Sequence, residues 1–317
     1  MTLLQTLPTR RNQTDHLIFQ ADALTPGCRR IGRQLEVSFD LELGTLWVFM
    51  RPEGVPCFNS ELLAELLAFN RAINTNQGKV IVDGAPVRVQ YYVLASRAPG
   101  VFNYGGDLAM FAQLAQAGRR EELLRYATLC VDNLYQQTMS FNQPIITLAL
   151  VQGAALGGGF EAVLANQVII AERGSTFGFS EILFNLFPGM GAYSFLARLL
   201  SARRAEAMIA SGATYTAAEL AELGVVDVVA DDGEGAAAAS RFMRDGLRRY
   251  NGYSALLQVR RELFPITRDE LMRVSTIWVD AVLQLTSRDI RIMQRLAKAQ
   301  QKRNAHIGGG YDPIDCQ

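Results

Sequence analysis

The sequence predicts an α/β protein whose sheet layers are mostly parallel and covered by helices. Strand-like and helical segments alternate along much of the chain, as layers of this kind require. Hydrophobic residues make up 49% of the 317 residues and charged residues 20%, which is enough apolar material for a sizeable core. Beyond Ala192 the chain is mostly helical, so we also expect a C-terminal helical appendage.

The first half of the chain predicts an arm, a hairpin, a strand and three helices. Residues 1 to about 30 are polar, contain prolines and lack sustained periodicity, so we expect an N-terminal arm. Apolar and polar residues then alternate on both sides of Gly44, which is typical of an antiparallel hairpin. The expected elements are a hairpin formed by Gln34 to Asp40 and Thr45 to Arg51, a helix that begins at Ser60, a strand from Val87 to Leu94, and helices from Asp107 to Ala117 and from Arg120 to Phe141.

The second half begins with a strand. The run IITLALVQ follows Pro144 and is rich in β-branched and aliphatic residues, which is typical of a buried strand. The loop GAALGGG then leads into a short helix that we expect to begin near Phe160. Two further strands are expected at Gln167 to Ala171 and at Val225 to Val229. We divide the chain into an arm (1–30), a core (31–250), a C-terminal helical region (251–303) and a tail (304–317).

Charge excludes one class of function and points to a second surface. Lysine plus arginine is 31 and aspartate plus glutamate is 31, so the net charge is zero and binding of nucleic acid by bulk charge is not expected. Between Arg241 and Arg303, however, fourteen basic residues face six acidic ones. This surplus is explained either by a solvated, soluble surface or by a landing surface for an acidic partner.

Targeting signals and metal-ligating residues are scarce. The sequence contains neither an apolar stretch long enough to cross a membrane nor the apolar run of a secretory signal, so we expect a cytoplasmic protein. The four cysteines lie far apart without a C-x-x-C pair, and we expect buried thiols. Because His16 and His306 are the only histidines, a Ser-His-Asp triad and a histidine-ligated metal are both improbable, and we expect no metal and no cofactor. Proton transfer would then fall to carboxylates.

The segment LVQGAALGGGFEA, residues 150–162, is the most informative one. A strand leads into three consecutive glycines, and a helix begins directly after them. Glycines let main-chain N–H groups approach a ligand closely, and the helix N-terminus adds positive partial charge. This combination predicts an oxyanion hole. The alternative is a dinucleotide site, because Gly157, Gly159 and Ala162 satisfy G-x-G-x-x-[GA], but Glu161 would then place a carboxylate beside a pyrophosphate.

Two glutamates are candidates for acid–base chemistry. Glu161 lies in the first turn of the predicted helix, where the helix dipole alone would explain an acidic residue. Glu181 is the one acid in the apolar segment STFGFSEILFNLFPGMG. Apolar surroundings favour the neutral form of a carboxyl group, which suits general acid–base work near neutral pH. The simpler explanation for Glu181 is an exposed loop tip.

A second glycine-containing loop, SRAPGVFNYGGDL at residues 96–108, also runs from a strand into a helix. Two such loops can each supply one N–H group to a single carbonyl oxygen. The simpler explanation is an ordinary connection in which Asp107 caps the next helix.

These segments resemble the crotonase, or enoyl-CoA hydratase and isomerase, superfamily. Three signatures stand in the family's order, namely VFNYGGDL (101–108), ALGGGFE (155–161) and FGFSEILFNLFPGMGA (177–192). The resemblance covers about residues 30–300 and implies a crotonase-like spiral of ββα units with C-terminal helices for the acyl pocket and for oligomerisation. It also implies that the N–H groups of Asn103 and Gly158 form the oxyanion hole and that Glu161 and Glu181 are catalytic.

Within that superfamily, the segments FNYGGDLAMF, ALVQGAALGGGFEA, LFNLFPGMGAYSF and STIWVDAVLQL are similar to the diffusible signal factor synthases, the RpfF group. The resemblance implies that a 3-hydroxyacyl thioester on acyl carrier protein is dehydrated and then hydrolysed to a free cis-2-unsaturated fatty acid used in quorum sensing. Ser180, where proline is usual, and Tyr104, where a small residue is usual, depart from ordinary hydratases.

The same resemblance implies further site residues and partners. It assigns removal of the carbon-bound proton to Glu181 and the oxygen side to Glu161. It implies a carrier-protein or coenzyme A thioester substrate, a homotrimer and a sensor-protein partner. Two alternatives remain open, an enoyl-CoA hydratase or isomerase without thioesterase activity and a noncatalytic regulator with the same fold. The expected substrate-binding residues are Gly157, Leu183, Phe184, Met190, Trp278 and Leu296.

Overall fold

The computed structural model describes residues 17–19 and 28–307. Its strands and helices alternate as the sequence predicts. The strands are β1 (Ile18–Phe19), β2 (Arg29–Ile31), β3 (Leu35–Asp40), β4 (Thr45–Met50), β5 (Lys79–Val82), β6 (Ala85–Arg88), β7 (Tyr91–Ser96), β8 (Val101–Asn103), β9 (Ile146–Val151), β10 (Ala154–Leu156), β11 (Val168–Glu172), β12 (Thr176–Gly178), β13 (Thr214–Thr216) and β14 (Val228–Ala230). The helices are α1 (Ser60–Thr75), α2 (Leu108–Gln116), α3 (Arg120–Thr138), α4 (Gly158–Leu164), α5 (Ala192–Leu199), α6 (Ala202–Ser211), α7 (Ala217–Glu222), α8 (Gly235–Gly246), α9 (Tyr250–Leu263), α10 (Arg268–Leu283) and α11 (Ser287–Ile307).

A seven-stranded sheet in the order β14-β11-β9-β7-β4-β3-β2 forms the main layer. The strands from β4 to β14 run parallel, and the predicted β3–β4 hairpin is confirmed at the antiparallel end of the sheet. Its two faces bury different residues, because side chains alternate along a strand. Val48 packs into the larger core with α1 and α3, whereas Trp47 and Phe49 pack into the core beneath α8 and α9.

A second sheet, in the order β13-β12-β10-β8, positions the candidate site. Its strands β8, β10 and β12 are parallel to one another. Each follows a strand of the main sheet by a few residues, so that β7 leads to β8, β9 to β10 and β11 to β12. Helices α2 and α4 begin directly after β8 and β10. The repeated strand–strand–helix unit therefore brings the glycine-containing loops together at one end of the second sheet.

The predicted single strand from Val87 to Leu94 is wrong. The chain forms two strands there: β6 pairs antiparallel with β5, and β7 enters the main sheet. Asp83 and Gly84, both with positive φ, make the tight turn between β5 and β6. A short hairpin thus precedes the main-sheet strand, and the apolar run VRVQYYVL spans two sheets.

The chain ends and the cysteines depart from expectation in part. Within the predicted arm, Leu17 packs in the core, β1 pairs with β5, and β2 begins at Arg29; residues 1–16 and 20–27 lie outside the described ranges. Helix α11 continues to Ile307 and so includes the first four residues of the predicted tail, 304–317. The rest of that tail lies outside the described ranges.

Cys57 and Cys130 are buried free thiols. Cys28 is disulfide-bonded and lies exposed before β2, so the expectation of a buried thiol is wrong there.

The C-terminal helices cover the site from one side. Helix α10 packs against α3, and α11 packs against α2 and the 3₁₀ turn Glu181–Phe184. Among the described helices, none combines the length and apolar character needed to cross a membrane.

Candidate active site

Glu161 occupies the first turn of α4 and is 1% exposed. Its Oε1 atom accepts hydrogen bonds from the backbone N–H groups of Met190, at 2.8 Å, and Ala192, at 2.9 Å. Burial raises the pKa of Glu161 to about 7, and these N–H donors limit the rise because they stabilise the charged form. Glu161 is therefore a fixed carboxyl group that titrates near neutral pH.

Glu181 begins the 3₁₀ turn that follows β12. Its Oε2 atom is buried and accepts no hydrogen bond among the described residues. Burial is the main cause that raises the pKa of Glu181 to about 8, and the nearby charge of Glu161 adds to it. Because the two carboxyl groups interact, they titrate as a pair that holds one proton between about pH 7 and pH 8.

Gly157 and Gly158 bring the backbone close to this pair. Gly157 has φ of +51°, and a Cβ atom at this residue would lie 2.3 Å from Glu181 Oε1. Gly158 is the first residue of α4, so its N–H group has no acceptor within the helix. A side chain at Gly105 would approach this N–H group, since its Cβ would lie 2.7 Å from Gly158 N. Glycine at these positions therefore keeps the Gly158 N–H group and the Glu181 carboxyl group in one space.

Asn103, whose N–H group is the predicted oxyanion donor, does not line this space. Asn103 is fully buried in the second sheet, and its Oδ1 atom accepts from Gly105 N at 2.7 Å. Tyr104 N donates to Pro56 O at 2.7 Å. Gly106 N has no acceptor among the described residues, and Gly106 lines the cavity together with Gly158. The second candidate oxyanion donor is thus Gly106.

The loop that carries Gly106 is held by a neighbouring segment. Phe58 N donates to Gly105 O at 2.7 Å, and the hydroxyl group of Tyr126 donates to Phe58 O at the same distance. On the other side, the Asp107 side chain accepts a hydrogen bond from Met110 N and caps α2, as expected for an ordinary strand-to-helix connection. The loop conformation is therefore fixed before any ligand binds.

A narrow cavity of about 40 Å³ joins these groups. Glu161, Glu181, Gly158, Phe184, Met190 and Trp278 all line it, in agreement with the sequence expectation. Gly157 lies at the edge of this cavity, next to the Glu181 carboxyl group. Leu183 and Leu296 do not line this cavity: Leu183 is 54% exposed, and Leu296 packs against the core from α11.

Aromatic side chains close the cavity at its far end. The Phe111 ring makes edge contacts with Trp278 and with Tyr126, each at 5.0 Å between centroids. A Cβ on Gly189 would lie 2.2 Å from Trp278 Cγ, so the indole packs directly on this backbone. The sequence analysis did not assign Phe111 and Tyr126 to the site. Phe111 in α2 ends the segment FNYGGDLAMF, whereas Tyr126 in α3 lies outside every segment quoted for the resemblance.

A larger cavity of about 840 Å³ lies elsewhere and shares no residue with the narrow one. It opens between the C-terminal end of α9 and the start of β11, where Arg260 donates to Gln167 O. Its lining contains neither candidate glutamate and neither glycine loop, so the narrow cavity is the candidate active site.

Comparison with known proteins agrees with this geometry. The family model for enoyl-CoA hydratase/isomerase matches residues 46–245. The enoyl-CoA isomerase/hydratase fer4 of Mycosarcoma maydis is 36% identical over 142 residues, which are 44% of this chain and 48% of that protein. The glyoxysomal fatty acid β-oxidation multifunctional protein MFP-a of Brassica napus is 25% identical over 232 residues, which are 70% of this chain and 31% of that protein. The chain thus spans less than half the length of either relative.

A solved structure confirms the fold. The enoyl-CoA hydratase from Bacillus halodurans superposes with a TM-score of 0.68 over 83% of this chain and 100% of that one, at 20% identity. The crotonase-like α/β fold expected from the sequence is therefore confirmed, with mostly parallel sheets and a C-terminal helical region.

Proposed function

The chain belongs to the enoyl-CoA hydratase/isomerase family, and from this premise we propose that it dehydrates a 3-hydroxyacyl thioester on acyl carrier protein and hydrolyses the product to a free cis-2-unsaturated fatty acid of the diffusible signal factor type. One observation carries the proposal: a buried pair of glutamates that holds one proton shares a cavity with the N–H groups of Gly106 and Gly158. Such a pair offers a base and an acid at the same time.

The two N–H groups stabilise the first intermediate. Removal of the C2 proton beside a thioester places negative charge on the carbonyl oxygen, as an enolate. Donors fixed in advance by the loop and by α4 stabilise this charge without reorganising, and each is worth about 2.7–4 kcal/mol in comparable sites. The site therefore supports proton abstraction at C2 without any other electrophile.

One shared proton is enough for the dehydration. The ionised glutamate takes the C2 proton, and the protonated glutamate gives its proton to the departing 3-hydroxyl group, which leaves as water. The proton has then moved from one carboxyl group to the other. The pair is again singly protonated, with the roles exchanged.

The exchanged pair is set up for hydrolysis. The newly ionised glutamate takes a proton from a water molecule that attacks the carbonyl carbon, and the oxyanion donors stabilise the tetrahedral intermediate. The newly protonated glutamate then protonates the departing thiolate of the carrier. Free acid and carrier thiol are released, and both glutamates return to their starting states.

The direction of the first transfer depends on where the proton lies. Burial raises the pKa values of both carboxyl groups, and because the two groups interact the one proton belongs to the pair. The family resemblance assigns the C2 proton to Glu181, which requires the shared proton to lie on Glu161 when the substrate is bound.

A second candidate function is an enoyl-CoA hydratase or isomerase that releases no free acid. The matching relatives favour it, since their names describe hydratases, isomerases and β-oxidation proteins. The same carboxyl pair and oxyanion donors would serve that reaction. Ser180 and Tyr104, both in the cavity wall, are the local departures that favour the synthase.

The noncatalytic alternative is the least supported. Two buried carboxyl groups with raised pKa values lower the stability of the folded state at pH values above their ordinary titration range. A noncatalytic scaffold gains nothing from this loss of stability. A catalytic pair requires it, because its proton affinity must match the working pH.

Association of copies through the C-terminal helices is part of the proposal. Leu256, Val259 and Leu263 are exposed on α9 at spacings of three and four, so they share one apolar face. Exposed apolar patches of this kind are typical of protein interfaces. Light scattering is expected to give a trimer, and Val259→Glu is expected to reduce its mass.

The proposed function is tested with two substrates, the 3-hydroxydodecanoyl thioesters of carrier protein and of coenzyme A. Mass spectrometry follows free acids, and chromatography resolves their double-bond geometry. Free cis-2-dodecenoic acid from the carrier thioester supports the synthase. If only thioester-bound enoyl product accumulates, the hydratase function replaces it; if neither thioester reacts, both enzymatic functions are rejected.

A further inference from the structure

We propose that the exposed face of α11 is the docking surface for the acidic carrier protein that delivers the acyl thioester. This inference rests on the proposed function, because it takes the substrate to be carrier-bound. It names a surface and a kind of partner, and it concerns residues outside the cavity.

The surface is a row of four basic residues, which we call the α11 stripe: Arg288, Arg291, Arg295 and Lys298. All four are exposed. Their spacing of three, four and three residues places them on one side of a helix. The opposite side of α11 is buried through Ile290, Met293 and Ala297. The packing of α11 thus fixes the direction in which the stripe faces.

The charges of the stripe are available to a partner. Among the described residues, no carboxylate lies within 4.0 Å of these four side chains. The one acidic residue of α11, Asp289, accepts hydrogen bonds from the backbone and side chain of Thr286 at the start of the helix. It therefore serves the helix end, although the charge of Arg288 acts on it.

Other basic residues of the C-terminal region are already engaged. Arg268 pairs with Asp132 at 2.7 Å, Arg260 donates to Gln167 O, and Arg261 donates to the Ser140 hydroxyl group. The basic surplus seen in the sequence thus includes side chains that tie elements of the fold together as well as the row on α11 that faces solvent.

The helix that carries the stripe packs against the elements of the active site. Helix α11 contacts α2, which begins after Gly106, and the turn that carries Glu181. At the far end of α11, the charge of Arg303 partly offsets the effect of burial, which raises the pKa of the Tyr104 hydroxyl group. Tyr104 lines the cavity. A partner on the stripe would therefore be bound to the outer side of a helix whose inner side packs against the site.

The length of the stripe favours a protein over a free nucleotide. From Arg288 to Lys298 the helix rises about 15 Å, at 1.5 Å per residue. Four cations spread over that distance match an elongated acidic surface, whereas the phosphates of a nucleotide form a compact cluster. Complementary charge mainly guides encounter and fixes the orientation of the partner.

The test reverses the charge of two central residues, Arg291→Glu with Arg295→Glu. The matched control reverses two exposed arginines that directly precede α9, Arg248→Glu with Arg249→Glu. Binding of fluorescently labelled 3-hydroxydodecanoyl-carrier protein is measured by anisotropy in a Glu161→Gln, Glu181→Gln background, so that no turnover interferes. Turnover is measured separately with the carrier thioester and with the 3-hydroxydodecanoyl thioester of pantetheine.

We expect the stripe variant to bind the carrier at least about tenfold more weakly and to lower kcat/KM for the carrier thioester to the same degree. The pantetheine thioester and the control variant should be unaffected, and the salt dependence of carrier binding should decrease. Unchanged carrier binding, or an equal loss with both thioesters, would overturn the docking surface. Absence of turnover would reject the proposed function, while the binding measurement would still decide on the stripe.

Discussion

Gly157 and Glu181 occupy adjoining space, which a side chain at position 157 would fill. The φ of Gly157 is +51°, and a Cβ atom there would lie 2.3 Å from Glu181 Oε1. Because Gly157 has no side chain, the Glu181 carboxyl group can lie at the N-terminus of α4, beside the Gly158 N–H group and Glu161. The catalytic pair depends on this absence of a side chain as much as on the two glutamates.

Gly157→Ala is expected to lower kcat by about 100-fold, because the new methyl group displaces the Glu181 carboxyl group from its working position. Gly224→Ala is the matched control, since Gly224 has φ of +77° and no neighbour within 4 Å of its Cβ position. Both variants place alanine at positive φ, which costs about 1–2 kcal/mol in the left-handed α region. The cost at Gly157 is higher, because its ψ of −126° lies outside that region. Steady-state kinetics measure the effect on catalysis, and urea unfolding measures the effect of backbone strain on stability. Equal activity of the Gly157→Ala and Gly224→Ala variants would contradict the contact between Gly157 and Glu181.

Gly105→Ala is expected to remove most activity by a different route. Its Cβ would lie 2.7 Å from Gly158 N, where the thioester oxygen must accept a hydrogen bond. Loss of one oxyanion donor lowers kcat by about 100- to 1000-fold. Gly224→Ala again controls for backbone strain. A Gly105→Ala enzyme with normal kcat would show that the Gly158 N–H group does not stabilise the intermediate.

Activity is expected to follow a bell-shaped pH profile with limbs near pH 7 and pH 8. Below about pH 7 both carboxyl groups are protonated and the base is lost; above about pH 8 both are ionised and the acid is lost. The profile of kcat/KM measures these limbs for the free enzyme. A rate that stays level from pH 5 to pH 10 would exclude the shared proton.

Glu181→Gln is expected to stabilise the protein at alkaline pH. Burial raises the pKa of Glu181 from 4.5 to about 8, so the folded state binds a proton more tightly than the unfolded state. The wild type therefore loses stability as the pH rises from about 4.5 to about 8, and the variant loses less. At pH 8 the gain should be on the order of 2 kcal/mol or more.

Urea unfolding at pH 5 and pH 8 measures this difference. Glu172→Gln is the control, because Glu172 is also buried but accepts hydrogen bonds from Gln152 and Gly235 N. A pH-independent effect of Glu181→Gln would mean that Glu181 is not held in its neutral form.

The fold and the glutamate pair could be predicted from local signals. Periodicity and the strand-to-glycine-to-helix pattern place Glu161 and Gly158, and the apolar segment around Glu181 marks its burial. The choice between Asn103 and Gly106 could not be predicted, since it depends on which N–H groups Pro56 O and the Asn103 side chain engage. Those acceptors are set by tertiary packing.

The lining of the acyl pocket was predictable only in part for a similar reason. Leu183 and Phe184 are adjacent apolar residues in one segment, and the 3₁₀ turn exposes the first while it buries the second. Phe111 and Tyr126 reach the cavity from α2 and α3, and they precede Glu181 by 70 and 55 residues. Only tertiary packing brings their rings to the Glu181 segment.

The central claim is that one pair of glutamates performs both dehydration and hydrolysis. It is tested most directly by supplying preformed cis-2-dodecenoyl-carrier protein in ¹⁸O-labelled water to the wild type, Glu161→Gln and Glu181→Gln, with Glu172→Gln as control. We expect ¹⁸O to enter the free acid with the wild type and the control, and the two site variants to be at least about 100-fold slower. Normal ¹⁸O incorporation by either site variant would contradict the claim and separate hydrolysis from the pair.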